Sequence, residues 1–319
     1  MQHEPAGFSN WLSRSTAAVV ALLLLSCPLP VAGQTVHVNN QLGNDRFDGL
    51  AAQPSGRNVG PVETIGRATR IAGTRGRIVV ANTGQPYYEN VALFGYKNSG
   101  TARQPFRIEG QGAVLDGTIP VPDDAWENVE GALFRFKPTR LAPQVLYQEG
   151  RPLEQVKKAA EAIARPRIEP RQWCYDNGYI YFRVEEKMLP DRYQLRYAGH
   201  GAGILLNRVD HVEISGLVIQ GFQFDGIQVK DAVSDIRLTG LNLRGNGRSG
   251  ISIAGASEVT VSDSLIGNNG RAQVLLESPA KASFDNCDVL DNTAEAFVME
   301  GGKLLIDGKP HEPGASSSR

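Results

Sequence analysis

The last third of the chain repeats itself about every 23 residues, and few folds tolerate such a repeat. Segments open at Gly203-Ile204, Gly226-Ile227, Gly250-Ile251, Gln273-Val274 and Ala296-Phe297, with steps of 23, 24, 23 and 23 between the apolar members. Other columns keep that step. Ile219, Leu243, Ile266 and Val289 form one, Val212, Ile236, Val259 and Ala282 another, and Asn246, Asn269 and Asn292 a polar third. A period of this size means stacked supersecondary units that cannot bury an apolar face singly. Within each unit apolar and polar residues alternate, as in Ile227-Gln228-Val229-Lys230, so the units are strands. Short strands, glycine-rich corners and a fixed step predict an all-β chain, a right-handed parallel β-helix. The asparagine column predicts tight inward turns whose amides bond their copies on adjacent coils. Leu217, Leu241, Ser264 and Cys287 form a further core column, in which valine should replace Ser264 at no loss.

Composition narrows the classes. At 319 residues the chain can bury a large core. Its 35 glycines suit repeated corners. A formal net charge of −1 gives no pull toward nucleic acid or an anionic membrane. At the N-terminus Arg14 precedes an apolar run from Ala17 to Leu25, and Val31-Ala32-Gly33 supplies small residues for cleavage. Residues 1–33 are therefore expected to be a signal peptide, and the run is too short for a membrane span. The mature chain is expected to be secreted, periplasmic or on the cell surface. A minor alternative is a lipoprotein signal, Leu24-Leu25-Ser26-Cys27, with Cys27 acylated. Cys174 and Cys287 lie far apart in sequence and are expected to be unpaired thiols, with a Cys174–Cys287 disulfide as the alternative.

Along the chain, residues 34–118 hold a cap and a first, less regular coil. Thr64 is expected to cap a short helix with Ile65, Ala68 and Ala72 on one face, ended by Gly73 and covering the first coil. Residues 119–196 break the period with Trp126, Trp173 and eight prolines, and are read as a small mixed insertion with a helix over 153–164. Regular coils follow over 197–309. Residues 310–319, rich in Gly and Ser, are expected to be disordered.

Several stretches resemble secreted parallel β-helix proteins of the pectate-lyase-like superfamily. They are Val36-His37-Val38, Gly43-Asn44-Asp45, Asp48-Gly49-Leu50, Pro86-Tyr87-Tyr88-Glu89-Asn90-Val91 and Leu115-Asp116-Gly117. The insertion is similar to one in the same group. Gly150-Arg151-Pro152-Leu153 matches a "dGkPL" strand end, and Trp173-Cys174-Tyr175-Asp176 with Tyr179-Ile180-Tyr181 matches a "W-x-Y-D … L-Y" strand pair. The resemblance implies contact with extracellular polysaccharide by a monomer. The superfamily holds lyases, glycosidases, epimerases and catalytically silent relatives, so three functions are carried forward: polysaccharide lyase, retaining glycosidase and non-catalytic carbohydrate-binding β-helix.

Candidate site residues come from the strand that opens each coil. Lys230 is the only lysine on its outward face and is the candidate base of a lyase, which must remove a proton beside a carboxylate. Asp225 and Asp231 flank it and would hold a cation or orient it. Arg248 and Arg271, 23 residues apart, would bind substrate carboxylates. Glu277 and Glu300, also 23 apart, approximate the carboxyl pair of a retaining glycosidase, at about 5 Å. The acid-rich strand motif that alginate and chondroitin lyases carry is absent from the sequence. His211, Asp235, Glu258 and Lys281 form a charged column, expected to be a surface ion ladder. Asn44, Asp45 and Asp48 make an oxygen-rich loop, the one place where calcium is a candidate cofactor. No other metal ligands are assigned.

Overall fold

The structure, a computed structural model, describes Met1 and residues 33–159 and 161–311. The expected signal segment and Cys27 therefore lie outside the described residues. Three parallel sheets form a solenoid. A nine-stranded sheet runs from Thr35–Val38 through Arg77–Val80, Phe106–Glu109, Asp210–Ser215, Ser234–Thr239, Glu258–Ser262 and Lys281–Asp285 to Lys303–Ile306, and the antiparallel strand Lys309–His311 closes it. A six-stranded sheet holds the coil-opening strands Val91–Phe94, Ile204–Asn207, Asp225–Lys230, Ser249–Ile253, Ala272–Glu277 and Glu295–Glu300. A five-stranded sheet of short strands completes each coil, from Val114–Asp116 to Asp288–Val289.

The columns read from the repeat are the strand registers. Ile204, Ile227, Ile251, Val274 and Phe297 pair in succession, as do Val212, Ile236, Val259 and Ala282. Both sets face one continuous apolar core. The reason is the pleat: alternate side chains face opposite ways, so one set of each strand is turned into the core. Where the long sheet meets the short one, the chain turns through left-handed residues in a column, Gly216, Gly240, Asp263 and Asn286, with φ between 52° and 63°. Glycine, asparagine and aspartate are the residues that enter this region at least cost.

The asparagine ladder is shorter than the repeat implies. Asn246 and Asn269 are buried, and the Asn246 backbone N–H and side-chain Nδ2 both donate to Asn269 Oδ1, at 3.0 and 3.1 Å. Asn269 then donates to Gln273 Oε1 at 2.8 Å, and Gln273 Nε2 donates to Asn292 Oδ1 at 3.1 Å. A glutamine thus stands between the second and third rungs. Asn292 is exposed, because no further coil-opening strand follows Glu295–Glu300 to cover it among the described residues. Ser264 also departs from expectation. Its buried hydroxyl accepts from the Leu241 N–H at 3.1 Å and donates to the Ser262 carbonyl at 2.7 Å, so it is a polar rung within an apolar column.

Helix Ile65–Ile71 forms as the capping pattern predicts. Thr64 Oγ1 accepts from the Arg67 N–H at 3.0 Å, Ala72 ends the helix, and Ile65, Ala68 and Ala72 face the core. The helix packs on the first strands of the long and coil-opening sheets.

The insertion is closed at its base by Thr118–Pro120 pairing antiparallel with Arg196–Ala198. It contains two four-stranded antiparallel sheets and an aromatic core of Phe136, Trp173, Phe182, Tyr193 and Tyr197. The hairpin Trp173–Asp176 with Tyr179–Arg183 turns at Asn177-Gly178, both at positive φ. The helix expected over 153–164 does not form. Residues 153–159 run extended and irregular, with Gln155 bridging to Trp173. The stretch sits over the Trp173 edge, where the indole Nε1 donates to the Leu153 carbonyl at 2.9 Å, so an outside partner takes a group that a helix would bond internally. The tail expectation is corrected in part: Pro310 and His311 are in a strand, and the His311 ring lies 5.5 Å from Phe297. Residues 312–319 lie outside the described residues. Cys174 is buried in the insertion core and Cys287 packs on the solenoid core; both are free. Burial pushes the Cys174 thiol up to about 11.

Candidate functional site

The sequence puts an aromatic side chain on each side of the junction between first coil and insertion, with acidic ones on the insertion side, and there a cleft of about 700 Å³ opens. The coil contributes Pro86 and Tyr88. Alternation explains the second of these. Tyr87 points inward, 2% exposed, with its hydroxyl donating to the Ala81 carbonyl at 2.8 Å, and burial pushes its pKa up to about 12. Tyr88 therefore points outward and is 48% exposed.

The insertion contributes Trp126, half-buried with its ring edge-on to Phe136 at 4.7 Å. It also contributes three exposed carboxylates on separate elements. Asp123 lies on the short 3-10 turn Asp123–Ala125, Asp191 on Pro190–Tyr193, and Glu149 at the tip of a two-residue hairpin turn with φ of 49°. None of the three has an ion-pair partner among the described residues. Arg196 closes the cleft. Its guanidinium stacks 3.9 Å from the Tyr88 ring, while Nε and Nη2 donate to Thr118 Oγ1 and the Thr118 carbonyl at 2.8 and 2.7 Å. Arg196 thereby covers one face of the Tyr88 ring, and the ring surface left exposed stands beside hydrogen-bond acceptors, as a sugar with one C–H face and a rim of hydroxyls requires. A second depression, of about 670 Å³, lies on the insertion; its charged groups all come from the single loop 185–189, so no groups converge there.

The residues singled out on the coil-opening sheet separate into three places. Lys230 is exposed at the end of its strand. Asp225 does not flank it in space. It opens the same strand, roughly 16 Å away along an extended chain, and is fully buried. There it accepts from Arg248 Nε at 2.9 Å, Ser249 Oγ at 2.6 Å and Gln228 Nε2 at 3.0 Å. Its charge is matched by Arg248, whose own pKa is raised mainly by that bond. The assignments of Asp225 to Lys230 and of Arg248 to substrate are both corrected by this pairing. Asp231 sits at a corner with φ of 63°, accepting from Asn207 at 3.0 Å and facing Arg208 at 3.5 Å.

Glu277 and Glu300 are directly opposed on adjacent strands, as the step of 23 implies. Arg271 pairs with Glu300 at 2.5 Å, so it too is engaged within the protein.

The charged column is only partly a ladder. His211 Nδ1 meets Asp235 Oδ2 at 2.6 Å, but Arg237 takes the other Asp235 oxygen, at 2.6 Å. The calcium expectation does not fit. Asn44 accepts from the Arg46 N–H, Asp48 from Leu50, and Asp45 from Glu63 and both Thr64 donors, so all three cap backbone rather than converge. Among the described residues no group of three acidic, histidine or cysteine side chains could hold a metal ion, and no helix is long and apolar enough to cross a membrane.

Tyr88, Trp126, Asp123, Glu149, Asp191 and Arg196 were not foreseen as one site. The single local signal was Tyr88 itself, an outward aromatic after an inward one. The other five are scattered over 74 residues and meet only because the insertion folds back on the coil.

One family model agrees with the architecture. Residues 195–308 match the family model of the right-handed β-helix region. No curated protein matches the sequence. Among solved structures, the complex of XylC with xylose is similar at 12% identity, with a TM-score of 0.48, over 85% of this chain and 69% of that one. A glycoside hydrolase is similar at 9% identity, with a TM-score of 0.40, over 86% of this chain and 96% of that one. The matched register, the three parallel sheets and the single internal core make this chain a right-handed parallel β-helix protein, with its β-helix region at residues 195–308.

Proposed function

We propose that this protein binds carbohydrate in the cleft between its first coil and its insertion. The observation that carries the reading is the exposed Tyr88 ring, facing a cleft of about 700 Å³ that also holds Trp126 and three unpaired carboxylates. Ring surfaces remove the C–H face of a sugar from water, and the carboxylates accept from its hydroxyls. The export signal read at residues 1–33 would put the cleft where extracellular glycans are met. Calorimetric titration with a panel of neutral and acidic glycans tests the reading. Tyr88→Ala is expected to weaken binding roughly 2- to 12-fold, the worth of one aromatic contact at about 0.5–1.5 kcal/mol. Binding that ignores Tyr88→Ala would place the sugar elsewhere.

One observation favours a second reading, a retaining glycosidase on the coil-opening sheet: Glu277 and Glu300 are paired in register. Parallel neighbours lie about 4.8 Å apart, near the carboxyl separation of such enzymes. Release of reducing sugar by the wild type, abolished in Glu277→Gln, would support this reading. The eliminative alternative would instead produce unsaturated sugars and lose them in Lys230→Ala.

A further inference from the structure

We infer that the cleft continues past Tyr88 into a second cavity, and that its ligand is an extended glycan chain without carboxylates, lying across the Tyr88 ridge. The inference rests on the carbohydrate reading above and specifies its ligand. The second cavity, of about 350 Å³, shares Pro86 and Tyr88 with the first. The two are therefore the two sides of one ridge. Each falls within the range of a small-molecule site, so one sugar ring leaves the other side empty.

The chemistry of the second cavity suits hydroxyls. Asn40, Gln41 and Gln85 line it with amides, each both donor and acceptor. Asn40 is fixed: Nδ2 donates to the Gln85 and Pro86 carbonyls at 3.0 and 3.1 Å, and Oδ1 accepts from Thr83 at 2.6 Å. That holds the backbone leading into Tyr88. The Gln85 side chain is exposed and has no hydrogen-bond partner among the described residues, leaving its amide available.

Charge excludes the polyuronates. Arg196 is the one cation lining either cavity among the described residues, and it is already bonded to Thr118 and stacked on Tyr88. A chain carrying one carboxylate per sugar would find no unengaged positive group. It would meet Glu63 on one side of the ridge and Asp123 on the other. Like charges at about 4 Å repel by roughly 1 kcal/mol even in water, and by more where water is excluded.

The test is calorimetric titration of the full chain with neutral gluco- and xylo-oligosaccharides from monosaccharide to hexasaccharide, and with oligogalacturonates of matched length. In the neutral series affinity is expected to rise by about tenfold or more with length and then level off once both cavities are filled. Gln85→Ala is expected to lower the affinity of the longer chains several-fold and leave the monosaccharide unchanged. Equal affinity at every length, or a Gln85→Ala loss that is the same for monosaccharide and hexasaccharide, overturns the extended chain while leaving the carbohydrate reading in place. Oligogalacturonates binding as tightly as their neutral counterparts overturn the exclusion of carboxylates. Failure of the underlying reading is seen separately, as no sugar of any length binding.

Discussion

Replacing Asn269 with leucine removes the middle rung of the buried polar ladder but keeps its branched four-atom skeleton, so hydrogen bonds are lost and no cavity is opened. Asn269 is 0% exposed. Its Oδ1 is the acceptor for the Asn246 N–H and takes a second bond from Asn246 Nδ2. Its Nδ2 reaches the Leu243 and Gly267 carbonyls at 3.2 and 3.0 Å, besides Gln273. Leucine leaves the Asn246 N–H with no acceptor in a dry interior. Asn246 Nδ2 keeps only a long 3.4 Å bond to the Ile219 carbonyl. A buried orphan costs about 1–3 kcal/mol, and two donors are affected, one fully and one in part, so Asn269→Leu should destabilise by about 3 kcal/mol. Asn292→Leu, at an exposed rung, should cost less than about 1 kcal/mol. Urea titration followed by far-ultraviolet dichroism reads both. The expected result is a lowered midpoint for Asn269→Leu with an unchanged slope. Equal losses at the two positions, or a loss at Asn269 below about 1 kcal/mol, would refute the claim that the amide is held by its buried partners.

Ser264→Val should cost about 1–2 kcal/mol in the same titration, since it strands the Leu241 N–H; a neutral result would return Ser264 to the apolar column. Tyr147→Phe should expose the insertion to limited proteolysis sooner than wild type, because the buried Tyr147 hydroxyl donates to the Gly245 carbonyl at 2.9 Å, and an unchanged digestion rate would count against that tie. Arg77 holds the Glu109 carboxyl below the usual carboxylate range. A depressed folded pKa means stability that is present above the unfolded value and lost as pH falls through the folded one. Because both side chains are partly exposed, Glu109→Gln should cost less than about 1 kcal/mol at neutral pH, and the two proteins should converge in acid. Lys230→Ala should leave sugar binding at the cleft unchanged, which titration with the best neutral ligand would check.

The solenoid was legible because its signal is additive. Each coil repeats the same inward alternation, and Ile204, Ile227, Ile251 and Val274 confirm one another. The Thr64 cap was legible for a similar reason, since the capping bond is local and spans three residues. The left-handed corner at Gly216, Gly240, Asp263 and Asn286 was equally periodic, yet its residue type changes down the column while its φ does not, so identity alone concealed it. The insertion helix was misread because residues 153–159 owe their shape to Trp173 and Lys157 contacts rather than to their own propensity. The site was the least legible part. Column logic finds residues that stack, but Tyr88 and Trp126 meet across an insertion that has no column. Column logic also set Asp225 beside Lys230 and gave Arg248 to the substrate, although Arg248, one coil on, takes the charge of Asp225.

A bare solenoid would be mechanically soft, each coil peeling from its neighbour in turn. This one is laced along its length. Tyr147 holds the Gly245 carbonyl, and Lys157 Nζ donates to the carbonyls of Gly270 and Thr293, both at 3.1 Å. Those three anchor points fall on three successive coils. Tension applied at the C-terminal strand therefore draws off the strands beyond Thr293 first, and then passes through the insertion as a lateral load. Pulled from that end, the β-helix should lose its last coil early and then rupture in one higher-force step, with the coils tied at 245, 270 and 293 released together, rather than in a series of small equal ones.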